Sequence, residues 1–410
     1  MVRIMHISTR LILGGSQENT VLSCEGQAER GHTVCLVFGP IYGPEGSLRD
    51  RAQAHGGIEL IETPRLVRPL HPLSDPRCYR DLRRLIRTWR PDVVHTHSSK
   101  AGILGRAAAW AEDTPAVVHT IHGLAFHPYQ AAWRNRVYVM AERFAARRCH
   151  RIVCVADAMR DQALAQGIGR PEQYVTVYSG MEVERFLQPG VERAEVRADL
   201  GLGTNDIVLG SVARLAELKG HDDLLDALGP TMQRRPELKL LWVGDGWWRD
   251  RLLARVREMG LTEQVVTTGL VPSEEIPRYL AAMDALAHLS YREGLPRSVV
   301  QAMLSGLPVI AYDVDGTREV CLDGETGFLI AAGRRTDVRH AVERLLDDPG
   351  SGREMGRRAR ERCRDRFAAA TMVERLEQVY AEILGDRAGE HADDRVAGVG
   401  ADVAGDDGRR

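Results

Sequence analysis

The residues of this chain best suited to chemistry are one carboxylate, two cations, one histidine and a few glycines, each at the end of an apolar run. Glu293 opens the stretch YREGLPRSVVQAMLSGLPVIA at 291–311. Gly294-Leu295 makes a turn, and Pro296 is pre-set for the first turn of a helix. Residues 298–305 read as that helix, and 309–312 as a buried strand after the Gly306-Leu307-Pro308 break. Glu293 therefore sits at a helix N-terminus, where unpaired N–H groups and the positive end of the dipole favour anions. Two readings stand. Glu293 caps the helix, or it orients the hydroxyls of a ligand whose phosphates rest on neighbouring amides. The second suits a sugar nucleotide.

Two cations belong with it. Arg214 and Lys219 lie five residues apart in VARLAELKG (212–220), after an apolar strand. Arg offers a planar fork and Lys a point charge, and together they can neutralise a diphosphate; otherwise they are ordinary surface cations. Near the N-terminus, Gly14-Gly15 follows the first strand. Paired glycines allow a tight turn and close approach to a phosphate at a helix start. This is not a GxGxxG motif, and no acidic residue ends the second strand, so a dinucleotide site is not implied. His122-Gly123 ends the run 117–121; its imidazole or carbonyl could touch a sugar, or the ring is simply a buried structural histidine. Asp245 in VGDG (243–246) reads as a cap for the next helix. His95 and His97 share a strand face, with His119 and His122 on the next strand, but no acidic partner stands at ligand spacing, so no metal is expected. Asp313-Val314-Asp315 looks like a metal-binding DxD. Its place after a late strand makes it a loop with two solvated carboxylates.

Strands and helices alternate throughout, which predicts right-handed βαβ units and parallel sheets covered on both faces. Apolar runs at 3–7, 33–38, 93–97, 117–121, 152–155 and 175–178 form one series; runs at 207–212, 238–243, 265–267, 285–289 and 309–312 form another. The expected fold is α/β: two doubly wound, Rossmann-like domains facing across a cleft. The first spans 1–186, a linker 187–205, the second domain 206–370, a C-terminal helix 371–384 and a disordered tail 385–410. Ligands of such sheets bind beyond the strands' carboxyl ends, so the cleft should hold the site.

The 410 residues suit two domains, and 44% hydrophobic with 27% charged content is that of a soluble globular protein. Seven scattered cysteines without a CxxC argue for a reducing compartment. Neither a signal-peptide pattern nor a membrane-spanning run is present. Residues 65–170 carry 18 Arg and Lys against 8 Asp and Glu, whereas 171–410 carry 32 against 42. The basic segments 77–90 and 133–151 read as helices with apolar and Arg faces. They are either solvated or meet anionic lipid head groups or a pyrophosphate-linked acceptor. Nucleic acid is not expected as a partner, since no recognition motif appears. The expected location is cytoplasmic, at the inner face of the cell membrane.

Taken in order, Gly14-Gly15, HTHSSKAGILGRAAA (95–109), His122-Gly123, VARLAELKG, VGDG and EGLPRSVVQAMLSGLPVI (293–310) resemble the family-4 retaining glycosyltransferases of GT-B fold, over roughly residues 1–384. The resemblance implies sugar transfer from a nucleotide-diphosphate donor, UDP by the family's habit, with retained anomeric configuration and neither metal nor cofactor. It implies a sugar or lipid-linked acceptor in surface polysaccharide or glycolipid assembly. Arg214, Lys219 and the Gly15 amide would hold the diphosphate. Glu293, with the Gly294 and Leu295 amides, would hold the donor sugar, His122 would line its pocket, and Val271 would lie near the base. Three positions depart from the pattern. Gln301 replaces its second glutamate, keeping a carbonyl acceptor without charge. Ala213 replaces a glycine, and Ser179-Gly180-Met181-Glu182 stands where NGVD is usual. A sugar-nucleotide epimerase would need a second carboxylate near the sugar. A non-catalytic sugar-nucleotide-binding protein is the other alternative, suggested by Gln301.

Overall fold

The computed structural model describes residues 1–42, 46–69 and 71–399. Its first sheet has seven strands: β1 (Arg3–Ser8), β2 (Thr33–Phe38), β3 (Ile58–Glu62), β4 (Val93–His97), β5 (Ala116–Ile121), β6 (Arg151–Cys154) and β7 (Tyr174–Thr176). The second has six: β8 (Ile207–Val212), β9 (Leu238–Val243), β10 (Val265–Thr267), β11 (Ala285–His288), β12 (Val309–Tyr312) and β13 (Gly327–Ile330). The orders are β3-β2-β1-β4-β5-β6-β7 and β10-β9-β8-β11-β12-β13, and every pairing is parallel. The central strands are buried along almost their whole length, which is why they read as continuous apolar runs rather than alternating ones. The α/β expectation of two doubly wound units thus stands. In each sheet the winding reverses between the first and fourth strands of the series, opening a crevice at their carboxyl ends.

The expected linker contains a helix, Arg193–Asp199, which packs on the helix Ile276–Ala282 of the second lobe. An arginine rather than an apolar stripe anchors it: buried Arg197 donates to the Ala282 carbonyl at 3.0 Å and to Asp284 Oδ2 at 2.8 Å. This hid it from a reading based on periodicity. The last helix, Ala369–Val399, crosses back to the first lobe, where Val373, Leu376, Tyr380 and Ile383 pack with Ile4, Leu22, Val93 and Val118. A Cβ added at Gly26 would stand 2.7 Å from Val373 Cγ2, so a glycine lets these helices touch. The tail expected to be disordered from 385 is helical as far as Val399. Residues 400–410 lie outside the described residues.

The lobes are also pinned near the cleft. Glu319 of the second lobe accepts from the amides of Asp157 (2.8 Å) and Ala158 (3.0 Å), capping a first-lobe helix, Asp157–Ala165, with negative charge at its positive end.

Candidate active site

A cavity of about 780 Å³ lies between the lobes. All nine residues expected at the site line it: Gly15 and His122 from the first lobe, and Arg214, Lys219, Val271, Glu293, Gly294, Leu295 and Gln301 from the second.

The loop after β8 carries both cations. It is braced from below by the turn after β9: Gly244, at φ +134°, would set a Cβ 2.3 Å from the Ala213 carbonyl oxygen, so only glycine fits there. Leu218 adopts φ +63°, a left-handed conformation that costs a leucine about 1 kcal/mol. Its carbonyl is held by the Tyr291 amide at 2.8 Å and by Ser290 Oγ at 3.2 Å, and this strained turn aims Lys219. Lys219 Nζ donates to Glu293 Oε1 at 2.6 Å, with Ser290 Oγ at 3.5 Å. Arg214 is exposed, lies 5.5 Å from the Trp247 ring centre and, among the described residues, pairs with no carboxylate.

Glu293 is half-buried in the cavity wall. Burial alone would raise its pKa, but the Lys219 ammonium and a hydrogen bond with His288 Nε2 (3.2 Å) outweigh it and hold the carboxyl well below the usual range. It is therefore an anion at neutral pH. Its own amide donates to Asp315 Oδ2 at 2.7 Å, so Glu293 does not cap the helix Arg297–Leu304, and Asp315 fixes its loop. This corrects the reading of 313–315 as solvated: Asp313 pairs with Arg318, and Asp315 also accepts from Gln162 of the first lobe. Asp245 does not cap the next helix, Arg249–Glu258, either; it accepts from the Gly246 amide at 2.7 Å in a local turn. The Gln301 side-chain amide has no protein partner among the described residues and is free to bond a ligand.

His122 meets the second lobe through its backbone. A Cβ at Gly294 would lie 2.1 Å from the His122 carbonyl oxygen, so the lobes close this tightly only because residue 294 has no side chain. The ring is neutral: burial and repulsion from Arg297 push its pKa down to about 3. His6, His95 and His97 lie close enough to suggest a metal site. Each of their ring nitrogens, however, already has a hydrogen-bond partner in Gln27, Tyr380, Thr120, His122 or one another. Their chemistry is that of a hydrogen-bonded chain.

Two arginines of the cavity were not singled out from the sequence. Arg297 reaches across the cleft, donating to the Gly180 carbonyl at 2.8 Å and pairing with Glu18 at 3.1 Å. A Cβ at Gly15 would lie 2.6 Å from Arg297 Cδ, so the first lobe's glycine loop rests directly on this side chain. The available signal was its position at the first turn of a helix, next to Pro296. Arg292 lines the cavity too, with its pKa lowered by burial. Nothing in its local sequence distinguished it.

Beside the cavity lies the helix Ala132–Ala146. Its inner face contributes Glu142 to the cavity wall, paired with buried Arg106 at 2.6 Å. Its outer face exposes Trp133 (64%), Val137 (47%), Met140 (68%) and Phe144 (47%) in one stripe, flanked by exposed Arg134, Arg136, Arg143 and Arg147. Among the described residues no helix is long and apolar enough to cross a membrane.

Comparison with known proteins agrees with this architecture. Residues 14–180 match the glycosyl transferase 4-like domain, and residues 192–362 match glycosyl transferases group 1. The UDP-Gal:alpha-D-GlcNAc-diphosphoundecaprenol alpha-1,3-galactosyltransferase of Escherichia coli is 26% identical over 390 residues, covering 93% of this chain and 97% of its own. The D-inositol 3-phosphate glycosyltransferase of Nocardia farcinica is 31% identical over 332 residues, 76% of this chain and 69% of its own. Among solved structures, Anabaena Alr3699/HepE in complex with UDP-glucose superposes with a TM-score of 0.79 at 22% identity, over 93% of this chain and all of that one. WaaG, a glycosyltransferase involved in lipopolysaccharide biosynthesis, gives 0.72 at 18% identity, over 93% of this chain and all of that one. With two Rossmann-like sheets in a GT-B arrangement and both halves matched, the chain belongs to the group 1, family-4-like glycosyltransferases.

Proposed function

We propose that this enzyme moves a sugar from a UDP-sugar to a hydroxyl of a lipid-linked acceptor, with retention at the anomeric carbon and without a metal. The observation that carries the reading is the pairing of Lys219 with an anionic Glu293 beside Arg214, which has no carboxylate partner among the described residues. The two cations face a departing diphosphate, joined by the Gly15 amide. Glu293 accepts from donor-sugar hydroxyls next to the Gly294 and Leu295 amides. His122 lines the sugar pocket, Val271 stands by the base, and Gln301 receives the ribose hydroxyls. As the bond from the anomeric carbon to the phosphate oxygen breaks, negative charge builds on the leaving group, where fixed cations act most strongly. The acceptor oxygen attacks from the same face and its proton passes to the leaving phosphate. A closed cleft excludes competing water. The uridine preference is supported by the UDP and UDP-glucose held by Alr3699/HepE and by the UDP-Gal in the Escherichia coli relative's name.

The lipid-linked acceptor is favoured by the exposed Trp133–Phe144 stripe and its arginines, which suit the inner leaflet of an anionic membrane next to the cleft. The relatives point both ways: one name carries diphosphoundecaprenol, another the small polyol phosphate D-inositol 3-phosphate. Incubation with radiolabelled UDP-sugars, with and without a polyprenyl-diphosphate sugar, tests the reading. Transfer with an α-linked product supports it. Epimer formation, or tight binding without turnover in the presence of acceptor, overturns it.

A further inference from the structure

A continuous chain of hydrogen bonds runs from the cleft through the first lobe to the final helix. His122 Nε2 meets His97 Nδ1 at 3.0 Å, His97 Nε2 meets His6 Nδ1 at 2.9 Å, and His6 Nε2 meets Gln27 Oε1 at 2.8 Å. Gln27 Nε2 then donates to the Tyr380 hydroxyl at 3.3 Å, which meets His95 Nδ1 at 2.6 Å, and His95 Nε2 meets Thr120 Oγ1 at 2.7 Å. Every member beyond His122 is buried, apart from water. Burial also keeps the rings of His6, His95 and His97 neutral at ordinary pH.

A neutral imidazole between two partners donates at one nitrogen and accepts at the other. Such a chain can point only one way or the other as a whole. The Gln27 amide decides the direction. Its oxygen can only accept, so His6 carries its proton on Nε2 and accepts on Nδ1. His97 must therefore donate from Nε2 and accept on Nδ1, and His122 must donate from Nε2. The remaining nitrogen, His122 Nδ1, is then left with a bare lone pair. It takes no hydrogen bond among the described residues, and His122 lines the cleft.

We propose that Gln27 and Tyr380 are positioning residues that, acting through His6 and His97, lock His122 in its Nε2–H tautomer and so present a hydrogen-bond acceptor, not a donor, to a hydroxyl of the bound sugar. With its hydrogen given to His95 Nδ1, the Tyr380 hydroxyl can only accept from Gln27, and so holds the amide in the orientation that sets this polarity. The final helix is thereby tied to the chemistry of the cleft and not only to the stability of the first lobe. The sugar contact rests on the transfer reading above; the tautomer does not.

The test is imidazole nitrogen NMR on the full chain labelled with ¹⁵N-histidine, joined to steady-state kinetics. In the wild type, His122 should be protonated on Nε2 alone. Tyr380→Phe frees the Gln27 amide to rotate and Gln27→Leu removes it; both should give a mixture of His122 tautomers. Each should lower kcat/KM about tenfold, the scale of one hydrogen bond, and neither should lower it further in a His122→Ala background. A wild-type His122 protonated on Nδ1 overturns the proposal, and that spectrum is informative even if a variant fails to fold. So does an unchanged tautomer in both variants, or a kinetic loss that persists in full without His122. Because the spectrum needs no substrate, failure of the transfer reading and failure of the tautomer lock are separately visible.

Discussion

Replacing Lys219 by alanine separates the two jobs that its ammonium does. Nζ has three N–H groups. Glu293 takes one at 2.6 Å and Ser290, at 3.5 Å, takes none strongly, so two remain for a phosphate. Losing one such transition-state donor should lower kcat by about 10²–10³-fold. The same change leaves Glu293 without its main counter-charge. Breaking a fully buried pair costs about 3–5 kcal/mol; with the Lys219 side chain 30% exposed, about 1–3 kcal/mol is the fitting range. The sign with pH follows. The native Glu293 pKa is depressed below its ordinary 4.5, so its contribution to stability is present above that pH and fades as pH falls further. In Lys219→Ala the burial remains and the ammonium does not, so the carboxyl shifts upward and the variant is penalised at neutral pH. Urea unfolding should show the stability gap to wild type narrowing as pH drops from 7 towards 4.5. Calorimetric titration with UDP, which lacks the sugar, should show weakened binding in Lys219→Ala but unchanged binding in Glu293→Gln, although both lose transfer. A Lys219→Ala protein that binds UDP like wild type, with a stability gap indifferent to pH, would refute the reasoning.

Gly294→Ala places a methyl 2.1 Å from the His122 carbonyl oxygen, backbone against backbone, so no side-chain rotation relieves it. The lobes must part, and kcat/KM measured by steady-state assay should fall by about 10² or more for a displacement near 1 Å. Met140→Glu with Trp133→Ala should abolish flotation with vesicles containing anionic phospholipid at low salt while leaving nucleotide affinity intact; undiminished flotation would remove the helix from any membrane role. Deleting residues 369–410 exposes the apolar surface around Ile4, Leu22 and Val118, and that protein should be insoluble or bind a hydrophobic dye strongly, as seen by light scattering or fluorescence.

Much of this molecule was legible because parallel strands in a covered sheet leave apolar runs, and eleven of the thirteen strands among the described residues announced themselves that way. The two that did not are at sheet edges: β3, Ile58–Glu62, has its apolar run broken by Glu59 and Glu62, and β13, Gly327–Ile330, opens on a glycine. Most cavity residues were legible because they lie where a strand hands over to a glycine-bearing turn; Gln301, inside the helix Arg297–Leu304, was reached only through the family resemblance. What local sequence could not give was pairing across distance. Arg297 looks like any helix-start cation until the fold brings Gly15, Glu18 and Gly180 to it. Asp315 looked solvated because its partner, the Glu293 amide, is 22 residues away. Tyr380 looked like one more apolar position of a terminal helix, with its hydroxyl partner Gln27 353 residues distant.

The account depends above all on a diphosphate seated between the lobes and gripped by the second lobe's cations. A crystal structure with UDP bound addresses it directly. The account predicts pyrophosphate oxygens within hydrogen-bond distance of Arg214, Lys219 and the Gly15 amide, with the uracil near Val271. A nucleotide bound in that cleft with its phosphates turned away from Arg214 and Lys219 would contradict it.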